Sequence, residues 1–464
     1  MIGLELSIIW QSGLIPLKQK NRLALNGLDC LMLAFDHQLK KNGFAGNQSQ
    51  IILGLDTRIE IDALRKRLTD LASQFPLINA SLRSSFWKGR PYWLLPATGI
   101  ASFPEVRAHL LEEPPGASSH EILRRQLLNT PLNVRHGELL RLDLIYLQDR
   151  RMEIIMTWHH ILMDARGAEY FLHMIGNCSV GNALSLSETV DDTLSPLRKR
   201  MASIDMKEKL RLAEPAFGWI DRMALLRPVS LYTKLKSLPA PKLDFRIDVF
   251  SLPETEAIMK RSRSTCGVMN SSAYFLSATL LTLAELYQQK GIETRSYIVS
   301  STIDLRKIGT RLPIFTNQAG VLLYEFKSED LLDYSSVANL FRLQTQEALR
   351  NDMLFSNLCT MELSRFMPSW LYVRKIKKAL RGEIASLLFA NPGVTFQGLS
   401  TFMDEPVQYQ YHVPAVVTPP GIGIVYYFFS GRLQITLAYA EGLLSREEAT
   451  GFLADVRRRL LAGK

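Results

Sequence analysis

Two adjacent histidines, with an aspartate four residues after the second, form a candidate catalytic group. They lie in Trp158-His159-His160-Ile161-Leu162-Met163-Asp164, directly after the apolar, strand-like run Ile154-Ile155-Met156. A side chain at the end of a buried strand leaves the packed layer and can face a cleft. Histidine accepts and returns a proton near neutral pH without extreme tuning. The pattern therefore predicts proton transfer at His160, with Asp164 holding the turn through an arginine or an imidazole N–H.

A structural histidine and a zinc site are the alternatives at this position. A histidine at a strand end can simply be hydrogen-bonded within the core. Zinc needs three or four converging ligands, whereas adjacent residues of a strand point in different directions. The sequence also lacks an HExxH motif, a CxxC pair and a second histidine cluster. We therefore expect no metal at this site.

The HHxxxD spacing resembles the motif of the chloramphenicol acetyltransferase and condensation-domain superfamily, which includes wax ester synthase-like enzymes. Two downstream segments, Ile303-Asp304-Leu305-Arg306 and Asn317-Gln318-Ala319-Gly320, resemble its "DLR" and "N-x-x-G" elements. Upstream, residues 130–142 resemble the strand that leads into the motif strand. The family usually has glycine directly after the aspartate, whereas this chain has Ala165 and places Gly167 two positions later.

The N-terminal half carries further similarity. The run "FPLINASLR" resembles the family's "hP-x-L/F-R" segment, and the helix-like residues 28–39, which open with Leu28-Asp29-Cys30, resemble an "L-x-x-x-D" segment of the wax ester synthase-like branch. The resemblance implies an α+β fold of two chloramphenicol acetyltransferase-like lobes, each a mixed sheet with packed helices, and an active site in the groove between them. The expected division is residues 1–185 for the N-terminal lobe, 186–240 for a linker and crossover, and 241–464 for the C-terminal lobe.

The resemblance also implies the chemistry. The superfamily moves an acyl group from a thioester, on coenzyme A or on the phosphopantetheine arm of a carrier protein, to a hydroxyl or an amine. His160 would be the general base, worth roughly a hundred- to ten-thousandfold in rate. Asp164 would pair with Arg306 in a structural role, and His159 would pack or hydrogen-bond behind the site. The absence of a GxSxG nucleophile elbow agrees with direct transfer.

Two further positions are candidates for the substrate tunnel. Asn317 belongs to the "N-x-x-G" element, and Thr395 lies in Asn391-Pro392-Gly393-Val394-Thr395. Either could line the tunnel or polarise the tetrahedral oxyanion. The alternative for both is a turn-forming role. No bound cofactor is expected, because the acyl thioester is itself a co-substrate.

Four functions remain open from the sequence. An O-acyltransferase that makes esters from acyl-coenzyme A leads, because the chain carries no attached carrier or adenylation domain and leans to the wax ester synthase-like branch. An amide-forming condensation enzyme acting on carrier-bound substrates comes second. A non-catalytic relative is third, with Ala165 as its support, and a phosphate-binding scaffold is last.

Composition limits the partners. The chain has 464 residues, 47% hydrophobic and 22% charged, which predicts two globular domains. Its net charge of +10 favours acidic or phosphate-bearing partners, such as coenzyme A, an acyl carrier protein or anionic lipid. We find no nucleic-acid-binding motif and expect no nucleic acid partner. The amphipathic, basic residues 207–238 could lie on a membrane surface, although packing across a domain junction is the alternative.

The cell compartment is predicted from cysteines and apolar runs. Cys30, Cys178, Cys266 and Cys359 are scattered without metal or redox spacing, which suits a reducing compartment. The first ten residues have no basic region before a long apolar run, and residues 274–287 are too polar to span a bilayer. We therefore expect a cytoplasmic protein. Peripheral contact with a membrane surface is the alternative.

Overall fold

The computed structural model describes residues 21–84, 91–96, 104–111, 113–177, 196–234, 241–267, 271–306, 313–379, 383, 385–395 and 400–463. Within these ranges the fold is α+β and consists of two lobes, each built on a six-stranded mixed sheet. A small three-stranded sheet is formed by β1 (Arg22–Ala24), β3 (Ser81–Ser84) and β4 (Pro91–Leu94). Strands β3 and β4 pair antiparallel.

The N-terminal lobe is built around a central strand that ends at the two histidines. Its strands are β2 (Gln48–Leu55), β5 (Glu105–Leu110), β6 (Leu140–Tyr146), β7 (Met152–His159), β12 (Thr401–Phe402) and β13 (Glu405–Val413). They lie in the order β12-β13-β2-β7-β6-β5. Every residue of β7 is buried, because both faces of the sheet are covered. This explains why its sequence is a nearly continuous apolar run.

The helices of the N-terminal lobe are α2 (Ile61–Gln74), α3 (Ser118–Leu128) and α4 (Ala165–Asn177). Helices α2 and α4 cover one face of this sheet, and helix α3 lies on the other face, towards the second lobe. Met152, Ile154, Met156 and Trp158 of β7 belong to the core on the α2 and α4 side. Ile155 points to the opposite face and belongs to a core that continues into the C-terminal lobe. One continuous apolar core therefore extends from this face of the sheet into the C-terminal lobe, beneath the groove between the lobes.

The C-terminal lobe contains the second six-stranded sheet. Its strands are β8 (Leu243–Val249), β9 (Ser296–Asp304), β10 (Ala319–Lys327), β11 (Leu387–Val394), β14 (Ile422–Phe429) and β15 (Arg432–Ala440), and they lie in the order β10-β9-β11-β14-β15-β8. Strand β11 is parallel to both neighbours, and the other pairs are antiparallel. The packed helices are α7 (Leu252–Cys266), α8 (Ser271–Gln289), α9 (Tyr334–Arg350) and α12 (Arg446–Ala462).

The remaining helices connect the lobes. They are α1 (Gly27–Lys41), α5 (Pro196–Ser203), α6 (Met206–Leu225), α10 (Met353–Ser364) and α11 (Ser369–Ala379). Helix α1 packs on α10 and α11, and α6 also packs on α10. Helix α1, and helix α6 of the predicted crossover segment, are therefore both attached to helices of the C-terminal half. Residues 178–195 and 235–240, which belong to the predicted linker or flank it, lie outside the described ranges.

Two strands of the C-terminal half belong to the sheet of the N-terminal lobe. Strand β13 pairs antiparallel with β2, and β12 pairs with β13. The ring of Tyr409 lies over Gly54 of β2, where an added Cβ would come within 2.2 Å of it. The Tyr409 hydroxyl reaches across β2 and donates to the Glu153 carboxylate of β7. Residues 401–413 therefore belong to the sheet of the N-terminal lobe, although the expected division at residue 241 assigns them to the C-terminal lobe.

The last helix begins after Ser445, which forms a capping box with Glu448, and this S-x-x-E pattern is a local signal for a helix start. Strands β1, β5, β11, β12 and β13 and helices α5 and α10 were not predicted. The alternation of Val407, Tyr409 and Tyr411 is a strand signal that could have identified β13. No helix in the described parts of the chain is long and apolar enough to cross a membrane.

Candidate active site

His160 lies one residue beyond the end of β7, at the turn that leads to α4. Its backbone N–H donates to the carbonyl oxygen of Asn47, just before β2, at 2.9 Å. This bond continues the β2–β7 pairing and orients the backbone at the turn. Unlike the fully buried residues of β7, His160 keeps part of its surface exposed. The imidazole is thus held at the edge of the packed sheet, as the sequence predicts.

The imidazole is bound by a residue of the other lobe. Nδ1 of His160 lies 3.0 Å from Oδ1 of Asn317, and Nδ2 of Asn317 donates to the His160 carbonyl oxygen at 2.8 Å. The same Nδ2 donates to Oδ1 of Asp29 in α1 at 3.0 Å. Three distant parts of the chain therefore meet at this histidine. None of the described hydrogen bonds uses its Nε2.

Burial decides the charge state of His160. Removal of the ring from water lowers the pKa of His160 below its ordinary value of 6.5, although a hydrogen bond to its own backbone, the Asp164 charge and the bond to Asn317 act in the opposite direction. Burial disfavours the charged form of a histidine. At neutral pH the ring is consequently neutral, which is the form that can accept a proton.

Asp164 is fully engaged in a structural network. Arg306 donates to both carboxylate oxygens at 3.0 Å. The backbone N–H groups of Gly167 and Gln318 donate to the same carboxylate at 2.8 and 2.7 Å. A carboxylate with four such bonds is a fixed part of the architecture, so Asp164 joins the motif turn to the segment that carries Asn317.

Ala165 does not distort the motif turn. It is the first residue of α4, and it is not among the described residues with positive φ. Space is instead restricted at Gly167, where an added Cβ would lie 2.4 Å from the backbone oxygen of Ile314. The glycine of this chain is therefore required for the close approach of α4 to residues 313–318.

His159 points away from His160 and contacts α1. Its Nε2 lies 2.9 Å from Oδ1 of Asp36, and its Nδ1 accepts the N–H of Ile161 at 3.2 Å. Burial by itself would raise the pKa of the Asp36 carboxyl, but His159, Lys40 and the N–H of Asn47 together lower it below its ordinary range. His159 thus lies behind the site, where the resemblance implies a supporting histidine.

The two candidate oxyanion residues use their hydrogens within the protein. Both amide hydrogens of Asn317 are directed at Asp29 and the His160 carbonyl. The hydroxyl of Thr395 donates to the carbonyl of Phe428 at 3.1 Å and accepts from Gln410 at 3.0 Å. These bonds do not support oxyanion polarisation by either side chain. Asn317 instead contacts the catalytic candidate, and Thr395 connects β11 to β13.

A second contact between the lobes involves a residue that sequence analysis did not identify. Arg166 of α4 donates to the carbonyls of Pro392 and Val394 in β11, at 2.9 and 3.0 Å. It also donates to Glu169 at 2.8 Å, and Glu169 lies 3.2 Å from Nε2 of His412 in β13. Helix α4 is thereby attached to β11 and β13, next to the motif turn.

No group of three or more histidines, cysteines, aspartates or glutamates is placed to hold a metal ion among the residues that the structure describes. Asp29, Asp36 and Arg166 are the contributors that sequence analysis missed or left without a role. The capping pattern at the start of α1 draws attention to Asp29, but its contact with Asn317 spans 288 residues and has no local signal.

Comparison of the sequence alone identifies no relative: no protein-family model matches it, and no curated protein is significantly similar to it. The fold, in contrast, matches solved structures over almost the whole chain. The first condensation domain of the calcium-dependent antibiotic synthetase, in complex with a substrate analogue, superposes with a TM-score of 0.67 and 16% identity, covering 95% of each chain.

Two other similar structures extend the comparison. The starter condensation domain of rhizomide synthetase RzmA, in complex with C8-CoA, gives a TM-score of 0.68 at 13% identity and covers 96% of this chain and 95% of that one. The trichothecene 15-O-acetyltransferase TRI3 from Fusarium sporotrichioides gives a TM-score of 0.66 at 13% identity and covers 95% and 94%. The chain thus has the two-lobed fold that condensation domains and this acetyltransferase share.

Proposed function

We propose that this protein is an acyltransferase that moves an acyl group from a thioester to a hydroxyl acceptor, with His160 as general base. The observation that carries the proposal is the placement of a neutral, partly exposed imidazole at the lobe junction, with Nδ1 bound to Asn317 at 3.0 Å and Nε2 left for a substrate. The fold is shared with an O-acetyltransferase and with a domain solved with C8-CoA. These similarities support the choice of a thioester donor.

The reaction balances without an enzyme nucleophile. The acceptor oxygen attacks the thioester carbonyl carbon while Nε2 of His160 takes the hydroxyl proton. The tetrahedral intermediate then collapses, the carbon–sulfur bond breaks, and the departing thiolate takes up that proton. General-base assistance of this kind is worth roughly a hundred- to ten-thousandfold. Asp164 and Arg306 take no proton in this scheme and serve to hold the turn.

Amide formation is the second candidate, because two of the similar structures are condensation domains. An amine acceptor would use the same base, since its nitrogen also loses a proton as the new bond forms. The donor could then be carried on a phosphopantetheine arm instead of on coenzyme A. The acceptor atom, oxygen or nitrogen, distinguishes the two candidates.

The test is the release of free thiol from acyl-coenzyme A donors of increasing chain length, with alcohol and amine acceptors supplied separately. We expect release that requires an alcohol, together with an ester product identified by mass spectrometry. His160→Ala should lower this rate by roughly a hundred- to ten-thousandfold. The matched control is His136→Ala, an exposed histidine outside the site, which should keep the wild-type rate.

The possible outcomes separate the candidates. Release that requires an amine would replace the ester proposal with amide formation. Equal rates for wild type and His160→Ala would remove His160 from the mechanism. A lack of release with every coenzyme A donor, followed by transfer from a phosphopantetheine-loaded carrier, would assign a carrier-bound donor.

A further inference from the structure

Asp29 has a contact that its role as a helix cap does not explain. It is the third residue of α1, where the Asn26 side chain accepts its N–H at 2.9 Å and the Asn26 N–H donates to its Oδ2 at 3.3 Å. This reciprocal capping box requires only one carboxylate oxygen. The other oxygen, Oδ1, faces the opposite lobe and accepts the backbone N–H of Asn317 at 3.3 Å and its Nδ2 at 3.0 Å.

These contacts determine which way the Asn317 amide points. Its Nδ2 lies between two acceptors, the Asp29 carboxylate at 3.0 Å and the His160 carbonyl at 2.8 Å. A flipped amide would place Oδ1 against both of these oxygens and lose two hydrogen bonds. An amide orientation is assigned from its hydrogen-bond network, and here the network allows one. Oδ1 of Asn317 therefore faces His160.

The amide orientation, together with the bond between the ring and its own backbone, determines where His160 carries its proton. Oδ1 of Asn317 can only accept, so Nδ1 of His160, 3.0 Å away, must donate. In a neutral imidazole, protonation of one nitrogen leaves the other as a lone-pair acceptor. The arrangement therefore favours the tautomer with a proton on Nδ1 and a free lone pair on Nε2.

We propose that Asp29 is a positioning residue that fixes the tautomer of His160 through the Asn317 amide. The inference rests on the proposed function only for its consequence in catalysis; the tautomer is a property of the resting protein. Asp29 does not need to touch a substrate in this role. It sets the orientation of one amide, and the amide keeps Nε2 of His160 unprotonated and ready to accept the acceptor's proton.

The direct test is two-bond ¹H–¹⁵N correlation NMR on protein with ¹⁵N-labelled histidine, in which the His160 signals are assigned by their loss in His160→Ala. Wild type should show the Nδ1–H tautomer. Asp29→Ala and Asn317→Ala should both shift His160 towards Nε2–H. The matched control is Glu362→Ala, which removes the bond from Gly27 N at the same helix start, 3.1 Å long, without contacting Asn317.

The same variants separate positioning from folding in the transfer assay. Asp29→Ala should lower kcat by roughly tenfold or more with a smaller effect on KM, because proton acceptance rather than binding is changed. In serine proteases the carboxylate bonds the catalytic histidine directly, and its replacement lowers kcat by about 10⁴-fold. We expect a smaller loss here, because Asp29 acts through the Asn317 amide. Glu362→Ala should keep the wild-type kcat.

Each outcome gives a decision. An Nε2–H tautomer in wild type, or an unchanged Nδ1–H tautomer in folded Asp29→Ala, would overturn the positioning role whatever the activity. A tautomer change in Asp29→Ala and Asn317→Ala, in a protein that transfers no acyl group, would retain the positioning role and reject the proposed function. If Asp29→Ala does not fold, Asp29→Ser, whose hydroxyl is a shorter polar group at the same helix start, replaces it in this measurement, and an unchanged Nδ1–H tautomer in that variant overturns the positioning role.

Discussion

Arg306 and Asp164 lie 142 residues apart in the chain and face each other through two parallel hydrogen bonds of 3.0 Å. Their side chains are 3% and 8% exposed, so the pair is almost entirely removed from water. A two-pronged arginine–carboxylate contact is geometrically specific as well as strong. It connects the motif turn of one lobe to the segment between β9 and β10 of the other.

Asp164→Asn should therefore lower the stability of the protein and also lower the rate of acyl transfer. The substitution removes the buried charge partner of the Arg306 guanidinium and leaves only the half-exposed Asp304 beside it. Loss of a buried partner costs about 3–5 kcal/mol in comparable sites. The free energy of unfolding from urea titration measures the loss. A matched control is Asp304→Asn, since Asp304 is 44% exposed and lies 3.3 Å from the same guanidinium. This control should cost less than about 1 kcal/mol, and equal losses for both variants would contradict a dominant Asp164 contact.

The acid limb of the activity profile should report the lowered pKa of His160. The neutral ring is the base, and burial lowers its pKa below 6.5. With an alcohol acceptor, log kcat/KM should be level above pH 6.5 and fall by one decade per pH unit below a midpoint that is itself under 6.5. A midpoint above 6.5 would mean that the Asp164 charge and the hydrogen bonds of the ring outweigh burial. His160→Ala should lack this limb.

Gly167→Ala should disturb both stability and activity. The new Cβ would meet the backbone oxygen of Ile314 at 2.4 Å, and a backbone atom cannot rotate away as a side chain can. We expect a loss of about 1–3 kcal/mol and a lower transfer rate, because residues 313–318 include Asn317. The matched control is Gly218→Ala in α6, where an added Cβ has no neighbour within 4 Å. That change should be neutral or stabilise by roughly 0.5–1 kcal/mol; similar effects of the two would contradict the close approach.

Glu153 should contribute to stability in a defined pH range. Burial would raise its pKa, but Arg124 and His120 outweigh this and lower the pKa from 4.5 to about 2. A carboxyl whose pKa is lowered by folding stabilises the fold at pH values above the pKa that it has in the unfolded chain. Glu153 should lose that contribution as the pH falls from 4.5 towards 2.

The test is Glu153→Gln, followed by urea unfolding between pH 7 and 2. The variant should lose about 3–5 kcal/mol at neutral pH, and its difference from wild type should narrow below pH 4.5. The control is Glu121→Gln, because Glu121 is 40% exposed in its ion pair with Arg446. It should differ from wild type by less than about 1 kcal/mol throughout. A constant gap between Glu153→Gln and wild type at all pH values would argue against the lowered pKa.

Local patterns were sufficient for the elements that present His160 and Asp164. The alternation of Leu140, Leu142, Leu144 and Tyr146 is a strand pattern that coincides with β6, and the apolar run at residues 154–156 lies within β7. In both cases burial determines the residue types directly, so that periodicity and the motif can be read along the chain. The arginine partner of Asp164 was predicted by the resemblance and is Arg306 in the structure.

Long-range polar contacts could not be predicted in the same way. Asp29 has the sequence context of an ordinary capping residue, and its bond to Asn317 depends on how α1 lies against the other lobe. Thr395 has a turn-like context, yet its hydroxyl is occupied by Phe428 and Gln410. Such contacts depend on the packing between lobes, which has no signature in a short stretch of sequence.

The pairing of β13 with β2 has a consequence for any attempt to divide the chain. A fragment ending near residue 240 would lack β13 and would leave residues 50–55 of β2, including the buried Ile51 and Leu53, as an unprotected edge. Exposed apolar edges recruit other strands and aggregate. The complementary fragment would carry β13 without a partner for its backbone. The two halves are therefore expected to be soluble only when co-expressed, with β13 of one fragment completing the sheet of the other.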